Sequence, residues 1–242
     1  MVSPRVVPLD GLFGCALPVD PAGSPLRPGG IQLSGELLDG AGVRAGQLVV
    51  DIGCGEGASV ALMQSRGLIA VGVEASAATL RQARARVPDA ALVLARGDSL
   101  PFETASVDGV LSECCLSLMD DRAKALAEWY RVMRRGGRLM ISDVYRRSDG
   151  AVQEAAGFDR SPFLSQAEII AALAMAGFRV EAFTDCSSVL GPWVARFIFE
   201  YGSLEPLWGG ACGLTSEAVR ASVPGYYTLQ AVKPLEWEGE VQ

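Results

Sequence analysis

The chain has 242 residues, half of them apolar, with 21 basic and 28 acidic side chains, six cysteines and no histidine. Without histidine, a Ser-His-Asp triad and a His-based zinc site are excluded, so any chemistry must run on cysteine, carboxylate, tyrosine or a cofactor. A net charge of −7 argues against a nucleic-acid backbone as the main partner, and no apolar run reaches the ~18 residues that a membrane span needs.

The opening "MVSPRVVPLD" lacks the charged-then-apolar layout of a signal peptide, which implies a cytoplasmic protein whose cysteines are thiols rather than a disulfide framework. Residues 1–30 are rich in proline and glycine and read as an irregular segment. "GGIQLSGELLDGAG" is a short helix ending at a glycine. From "QLVVDIG" onward, branched apolar strands alternate with helices: "LIAVGVEAS", then "AATLRQARARV" stopped by Pro88, then "AALVLARGD" and "VDGVLSECCLSLM". The stretch "DRAKALAEWYRVMRRGG" reads as a long helix closed by paired glycines, with "RLMISDVYRR" as the fifth strand. "SQAEIIAALAMAGF" is a helix and "RVEAFTDC" a sixth strand. About forty residues holding Trp193, Trp208 and Cys212 precede the last strand, "GYYTLQAVK". A connection that long usually carries function or structure of its own. The rhythm predicts an α/β fold: a doubly wound, mostly parallel seven-stranded sheet with a helical cap before the last strand. Its expected parts are a core over 31–185, the cap over 186–225, and the last strand and tail over 226–242. The arginines at 81–86 and 131–138 read as solvated helix faces.

Candidate site residues fall where a doubly wound sheet binds ligands, outside the carboxyl ends of its strands. "VVDIGCGEG" places Gly53, Gly55 and Gly57 on alternate positions directly after a strand. Such a loop aims backbone N–H groups at a ligand that can approach closely. The dinucleotide fingerprint is G-x-G-x-x-G, but here the spacing is G-x-G-x-G, with Asp51 two residues ahead. An acid there is unwelcome beside a phosphate but suits an ammonium or sulfonium. Glu74 is expected at the end of the second strand, Asp98 at the third, and Glu113 with Cys114 and Cys115 at the fourth. Cys54, inside the loop, reads as a small filler.

These segments resemble the class I S-adenosylmethionine-dependent methyltransferases. The resemblance runs from about residue 27 to 185, through "VVDIGCGEG", "VGVEAS", "ARGDSLPFETASVDGVLSE" and "YRVMRRGGRLMISD". The last stands where many members have leucine, lysine and proline before two glycines. The resemblance implies S-adenosyl-L-methionine as cofactor. Gly53, Cys54, Gly55 and Gly57 would cradle its methionine part with Asp51 near the amino group, and Glu74, followed by Ala75, would accept both ribose hydroxyls. Asp98 would receive the adenine amino group beside the Ser99 backbone, and Glu113 would complete the site. Methyl transfer needs alignment and dryness more than a histidine.

The implied partner is a small-molecule methyl acceptor, with no nucleic acid, membrane or metal, and a homodimer remains open. "LSECCLSLMDD" and "LFGCALPVDPAG" are similar to arsenite methyltransferase segments, which would give Cys114 and Cys15 roles as arsenic-binding thiolates. Glu113 replaces that family's asparagine, and its further cysteine has no counterpart in "YRRSDGAVQEAAGFDRSPFLSQ", leaving Cys115, Cys186 or Cys212 as a third ligand. A module that binds the cofactor without transferring methyl is the remaining alternative.

Overall fold

A computed structural model describes residues 27–147, 163–203 and 223–235. Its centre is a seven-stranded sheet in the order β3-β2-β1-β4-β5-β7-β6. The strands are β1 (Leu48–Ile52), β2 (Ile69–Glu74), β3 (Ala91–Leu94), β4 (Val107–Glu113), β5 (Met133–Arg146), β6 (Arg179–Asp185) and β7 (Pro224–Val232). Strands β1 to β5 pair in parallel, whereas β7 is antiparallel to both β5 and β6. The expected seven-stranded, mostly parallel architecture is therefore present, with its order reversing between β1 and β4.

The helices among the described residues are α1 (Gly30–Ala41), α2 (Ala58–Ser65), α3 (Ala77–Arg86), α4 (Arg122–Val132), α5 (Gln166–Met175) and α6 (Leu190–Tyr201). Their starts follow from local chemistry. Ser76 and Asp121 each accept a backbone N–H at the head of α3 and α4. Ser165 and Glu168 form a capping box on α5. α1 ends at Gly42, whose φ of 67° is the left-handed stop that glycine accepts without strain.

The branched strands are buried on both faces, and alternate residues sort into two cores. Val49, Leu111 and Met140 join Leu37, Leu38 and Met63 of α1 and α2 on one side. Val50, Val110, Leu139 and Ile141 join Leu126, Trp129 and Leu173 on the other. Trp129 is fully buried, and its indole N–H donates to the Gly97 carbonyl at 2.8 Å. Truncating a tryptophan so placed costs about 3–5 kcal/mol.

Three boundaries differ from the sequence reading. The fourth helix stops at Val132, and "MRRGG" already belongs to β5, because the chain must turn back into the sheet beside β4. Asp98 lies four residues beyond the end of β3, in a turn closed by Ser99 N–H to the Arg96 carbonyl. The last strand starts at Pro224, inside the segment expected as cap, since the β5–β7 pairing extends to Arg146 opposite Pro224. Within that segment the structure shows a 3₁₀ turn (Ser187–Val189) and α6; Trp208 and Cys212 lie outside the described residues. No helix of the described residues is long and apolar enough to cross a membrane.

Candidate active site

The glycine loop takes a conformation that its residues make inexpensive. Gly53, Gly55 and Gly57 all have positive φ, at 76°, 53° and 85°. Gly53 N–H and Cys54 N–H both donate to the Val73 carbonyl, folding the loop back across β2. A Cβ on Gly53 would lie 2.5 Å from Cys115 Sγ, so that glycine lets two loops touch. A Cβ on Gly55 would meet nothing within 4 Å, so the apex of the loop faces open space.

Glu74, the last residue of β2, is tied to this loop. Its Oε2 accepts Gly55 N–H at 3.1 Å, and its Oε1 accepts Ser76 N–H at 2.8 Å. Burial raises its pKa, against the stabilising backbone N–H groups of Ser76, Gly55 and Ala75. Asp51, one residue before the end of β1, is 2% exposed and accepts no hydrogen bond among the described residues. Burial pushes its pKa up to about 8; Glu113 and Glu74 add to the rise and Arg27 opposes it. Asp51 is thus buried without a hydrogen bond among the described residues, whereas the half-buried Glu74 is held by backbone N–H groups.

Glu113 ends β4 but points elsewhere. Its carboxylate takes Ser34 Oγ at 2.8 Å, Ser59 Oγ at 2.5 Å and an ion pair with Arg27 at 3.1 Å. It thus locks α1, the head of α2 and β4 together. Arg27 Nη2 also donates to Ser34 and Ser59. Arg27, Ser34 and Ser59 were not singled out in the sequence. Arg27 fell inside the segment read as irregular, and nothing local marks it except the Pro-Gly-Gly that follows.

Asp98 is engaged too. Arg96 Nε donates to its Oδ1 at 3.0 Å, and Lys124 Nζ approaches its Oδ2 at 3.4 Å. The Arg96 hydrogen bond chiefly holds its carboxyl below the usual range. Arg96 also reaches Asp120 at 3.1 Å.

Beside these acids, the β4 and β5 ends carry a cluster of thiol and hydroxyl groups. Cys114 has φ 52°, an uncommon conformation for a residue with a side chain. Its Sγ lies 3.0 Å from the Tyr226 hydroxyl, which donates to Ser142 Oγ at 3.1 Å. Burial, with Asp143 next in effect, pushes the Cys114 thiol up to about 12. Burial also raises Cys54, Cys115 and Tyr226 well beyond their ordinary values. Asp143 is raised by burial as well, although Ser117 and Val144 supply it with three hydrogen bonds. Cys15, the other thiol named for the arsenic reading, lies outside the described residues. Among those residues no group of three His, Cys, Asp or Glu could hold a metal ion.

The structure thus brings Asp51, Glu74 and the loop glycines to one opening and sets Cys114 at the neighbouring strand end. The Glu113 carboxylate is taken by Ser34, Ser59 and Arg27, and that of Asp98 is engaged by Arg96 and Lys124.

The methyltransferase domain family matches residues 50–141, from β1 to the middle of β5. O-methyltransferase resE of Aspergillus sclerotiorum is 34% identical over 166 residues, covering 64% of this chain and 62% of that protein. O-methyltransferase rstn1 of Aspergillus nomiae is 30% identical over 158 residues, covering 60% of this chain and 70% of that protein. The match thus spans less than two thirds of resE. In fold, the [4+2]-cyclase SpnF superposes with a TM-score of 0.71 at 21% identity, covering 85% of this chain and 81% of SpnF. The doubly wound sheet, the glycine loop at the end of β1 and these sequence matches agree: the chain belongs to the class I S-adenosylmethionine-dependent methyltransferases.

Proposed function

We propose that the chain binds S-adenosylmethionine at the glycine loop and methylates a small molecule, with a hydroxyl as the first acceptor to test. The observation that carries this reading is the unpartnered, buried Asp51 beside the open apex at Gly55. A buried carboxylate without a partner is costly, and a cationic ligand removes that cost, whereas a pyrophosphate would add to it. The cofactor supplies an electrophilic methyl group on a sulfonium.

The chain's own residues bind, orient and exclude water. Gly55 leaves room for the ligand's main body, and Asp51 takes its ammonium. Glu74 holds the loop in register through Gly55 N–H and turns its remaining lone pairs to the ribose hydroxyls. Asp98 keeps acceptor capacity for an amino group beyond its contacts to Arg96 and Lys124. Glu113 is better read as a positioning residue, because its carboxylate is spent on Ser34, Ser59 and Arg27. Cys114, backed by the buried Tyr226 and Ser142, offers the acceptor a neutral surface. The O-methyltransferase names of the two fungal relatives support the hydroxyl.

The cap over 186–225 is part of this proposal. Trp193 and Phe197 of α6 are buried, with ring centroids 5.5 Å apart, and α6 follows the carboxyl end of β6. The arsenite reading requires a thiolate at Cys114. A thiol pushed up to about 12 and hydrogen-bonded to a phenol counts against it.

Titration calorimetry with S-adenosylmethionine tests the binding half. Tritiated methyl donor offered to phenolic, alcoholic and arsenite acceptors tests the transfer half. Tight binding with no transfer to any acceptor would favour a non-catalytic module, and no binding would end the proposal.

A further inference from the structure

A tryptophan joins a large apolar body to one N–H that can only donate, and when buried that N–H usually finds a partner. Trp129 follows the rule, donating to the Gly97 carbonyl at 2.8 Å. Trp193 departs from it. The residue is 9% exposed, and its Nε1 is buried with no hydrogen-bond partner. A donor left so is unfavourable until something accepts from it.

Leu190, Trp193, Val194 and Phe197 share one side of α6, at the i, i+3, i+4, i+7 spacing of an apolar stripe. Trp193 and Phe197 are buried and Leu190 and Val194 half-buried, whereas Phe199 on the opposite side is 87% exposed. The stripe therefore faces the protein. Its four side chains hold one polar atom, Trp193 Nε1, and no charge. Hydrogen bonds tie the base of this helix to the β4–β5–β7 side of the opening. Cys186 N–H donates to the Tyr226 carbonyl at 2.8 Å, and Tyr226 N–H donates to Ser187 Oγ at 3.1 Å. The hydroxyl of the same tyrosine lies 3.0 Å from Cys114 Sγ. Trp193 stands in the first turn of α6, about 5 Å of helix rise beyond Leu190. One tyrosine and one short turn thus connect Cys114 to Trp193.

We propose that Trp193 selects the methyl acceptor by donating its indole N–H to a carbonyl oxygen on it. The occupant is an apolar ring compound that carries a carbonyl as well as the hydroxyl to be methylated. A donor-only N–H calls for an acceptor atom, and an apolar stripe without a cation favours a neutral carbonyl over a carboxylate or phosphate. This rests on the small-molecule methyltransferase reading above and adds a substrate class to it.

The test compares para-hydroxybenzophenone with para-benzylphenol, which keeps both rings and the hydroxyl but lacks the carbonyl. In a proton–nitrogen correlation spectrum, the indole resonance that disappears in Trp193→Phe identifies this side chain. The ketone should move that resonance downfield, and para-benzylphenol should leave it in place. With tritiated methyl donor, Trp193→Phe should lower kcat/KM on the ketone about tenfold more than on para-benzylphenol, the size of one hydrogen bond. No transfer to the ketone, an indole resonance that responds alike to both phenols, or equal losses on both would make Trp193 a packing residue and overturn the proposal. A resonance moved by S-adenosylmethionine alone would give the N–H to the cofactor and overturn it too. A parent that does not bind S-adenosylmethionine fails the cofactor reading itself, a separate result.

Discussion

The two ends of the opening differ in kind. On the β1–β2 side, the groups facing open space are carboxylates whose charge is unmet: Asp51 without a hydrogen bond and Glu74 bound only to backbone N–H groups. On the β4–β5–β7 side a half-buried Cys114 lies over the fully buried Tyr226 and Ser142, all uncharged and joined by hydrogen bonds. The first side is poised for a cation and changes with pH. The second offers a thiol and a phenol whose ionisation burial pushes upward. On the proposed function, recognition by charge is concentrated at the glycine loop, while the β4–β5–β7 side contributes alignment.

The largest expected effect that tests this contrast is Glu74→Ala. It removes the acceptor of both Gly55 N–H and Ser76 N–H, and cofactor affinity should fall by about 2–4 kcal/mol. Affinity equal to the parent in calorimetry would remove Glu74 from the site.

Asp51→Asn should weaken cofactor binding by roughly 2 kcal/mol, as expected for losing a charge-assisted contact, and it should also change the pH response. The folded pKa of Asp51, about 8, lies above its ordinary value of 3.8. The stability tied to this group is therefore fully present below about pH 4 and lost as pH rises through about 8. The ligand-free parent should lose stability over that range relative to Asp51→Asn, and cofactor binding should tighten by up to about tenfold per pH unit as Asp51 ionises. Parallel melting curves for the two proteins from pH 5 to 9 would refute the linkage.

Tyr226→Phe should cost about 1 kcal/mol of stability by leaving Cys114 and Ser142 without the phenol. It should leave cofactor affinity unchanged, which is the sharpest check that the two sides are separable. A Kd that rose together with the loss of stability would show them coupled.

The smallest effect concerns Cys114. With its thiol pushed up to about 12, alkylation by iodoacetamide at pH 8 should be slow in the folded chain and fast after unfolding. Rapid labelling of the folded chain, located at Cys114 by mass spectrometry, would restore the thiolate that the arsenite reading needs.

Much of the cofactor side was legible in the chain itself. Branched runs, the alternate glycines at 53, 55 and 57, and acids at 51 and 74 are local features, set within a strand and its following turn. Strand-helix alternation likewise determined the seven-stranded sheet, because burying two apolar faces leaves few other arrangements. Tertiary structure alone decided what those acids meet. Glu113 looked like one more strand-end ligand, but Ser34 and Ser59, 79 and 54 residues away, claim its oxygens. Arg27 looked like part of an irregular leader, yet β4 holds it against the loop across 86 residues of sequence. Cys114 was implied as an arsenic-binding thiolate, and burial beside Tyr226, 112 residues on, raises its thiol. Backbone preference is written in neighbouring residues, whereas desolvation and hydrogen-bond partners depend on segments that meet only when the sheet closes.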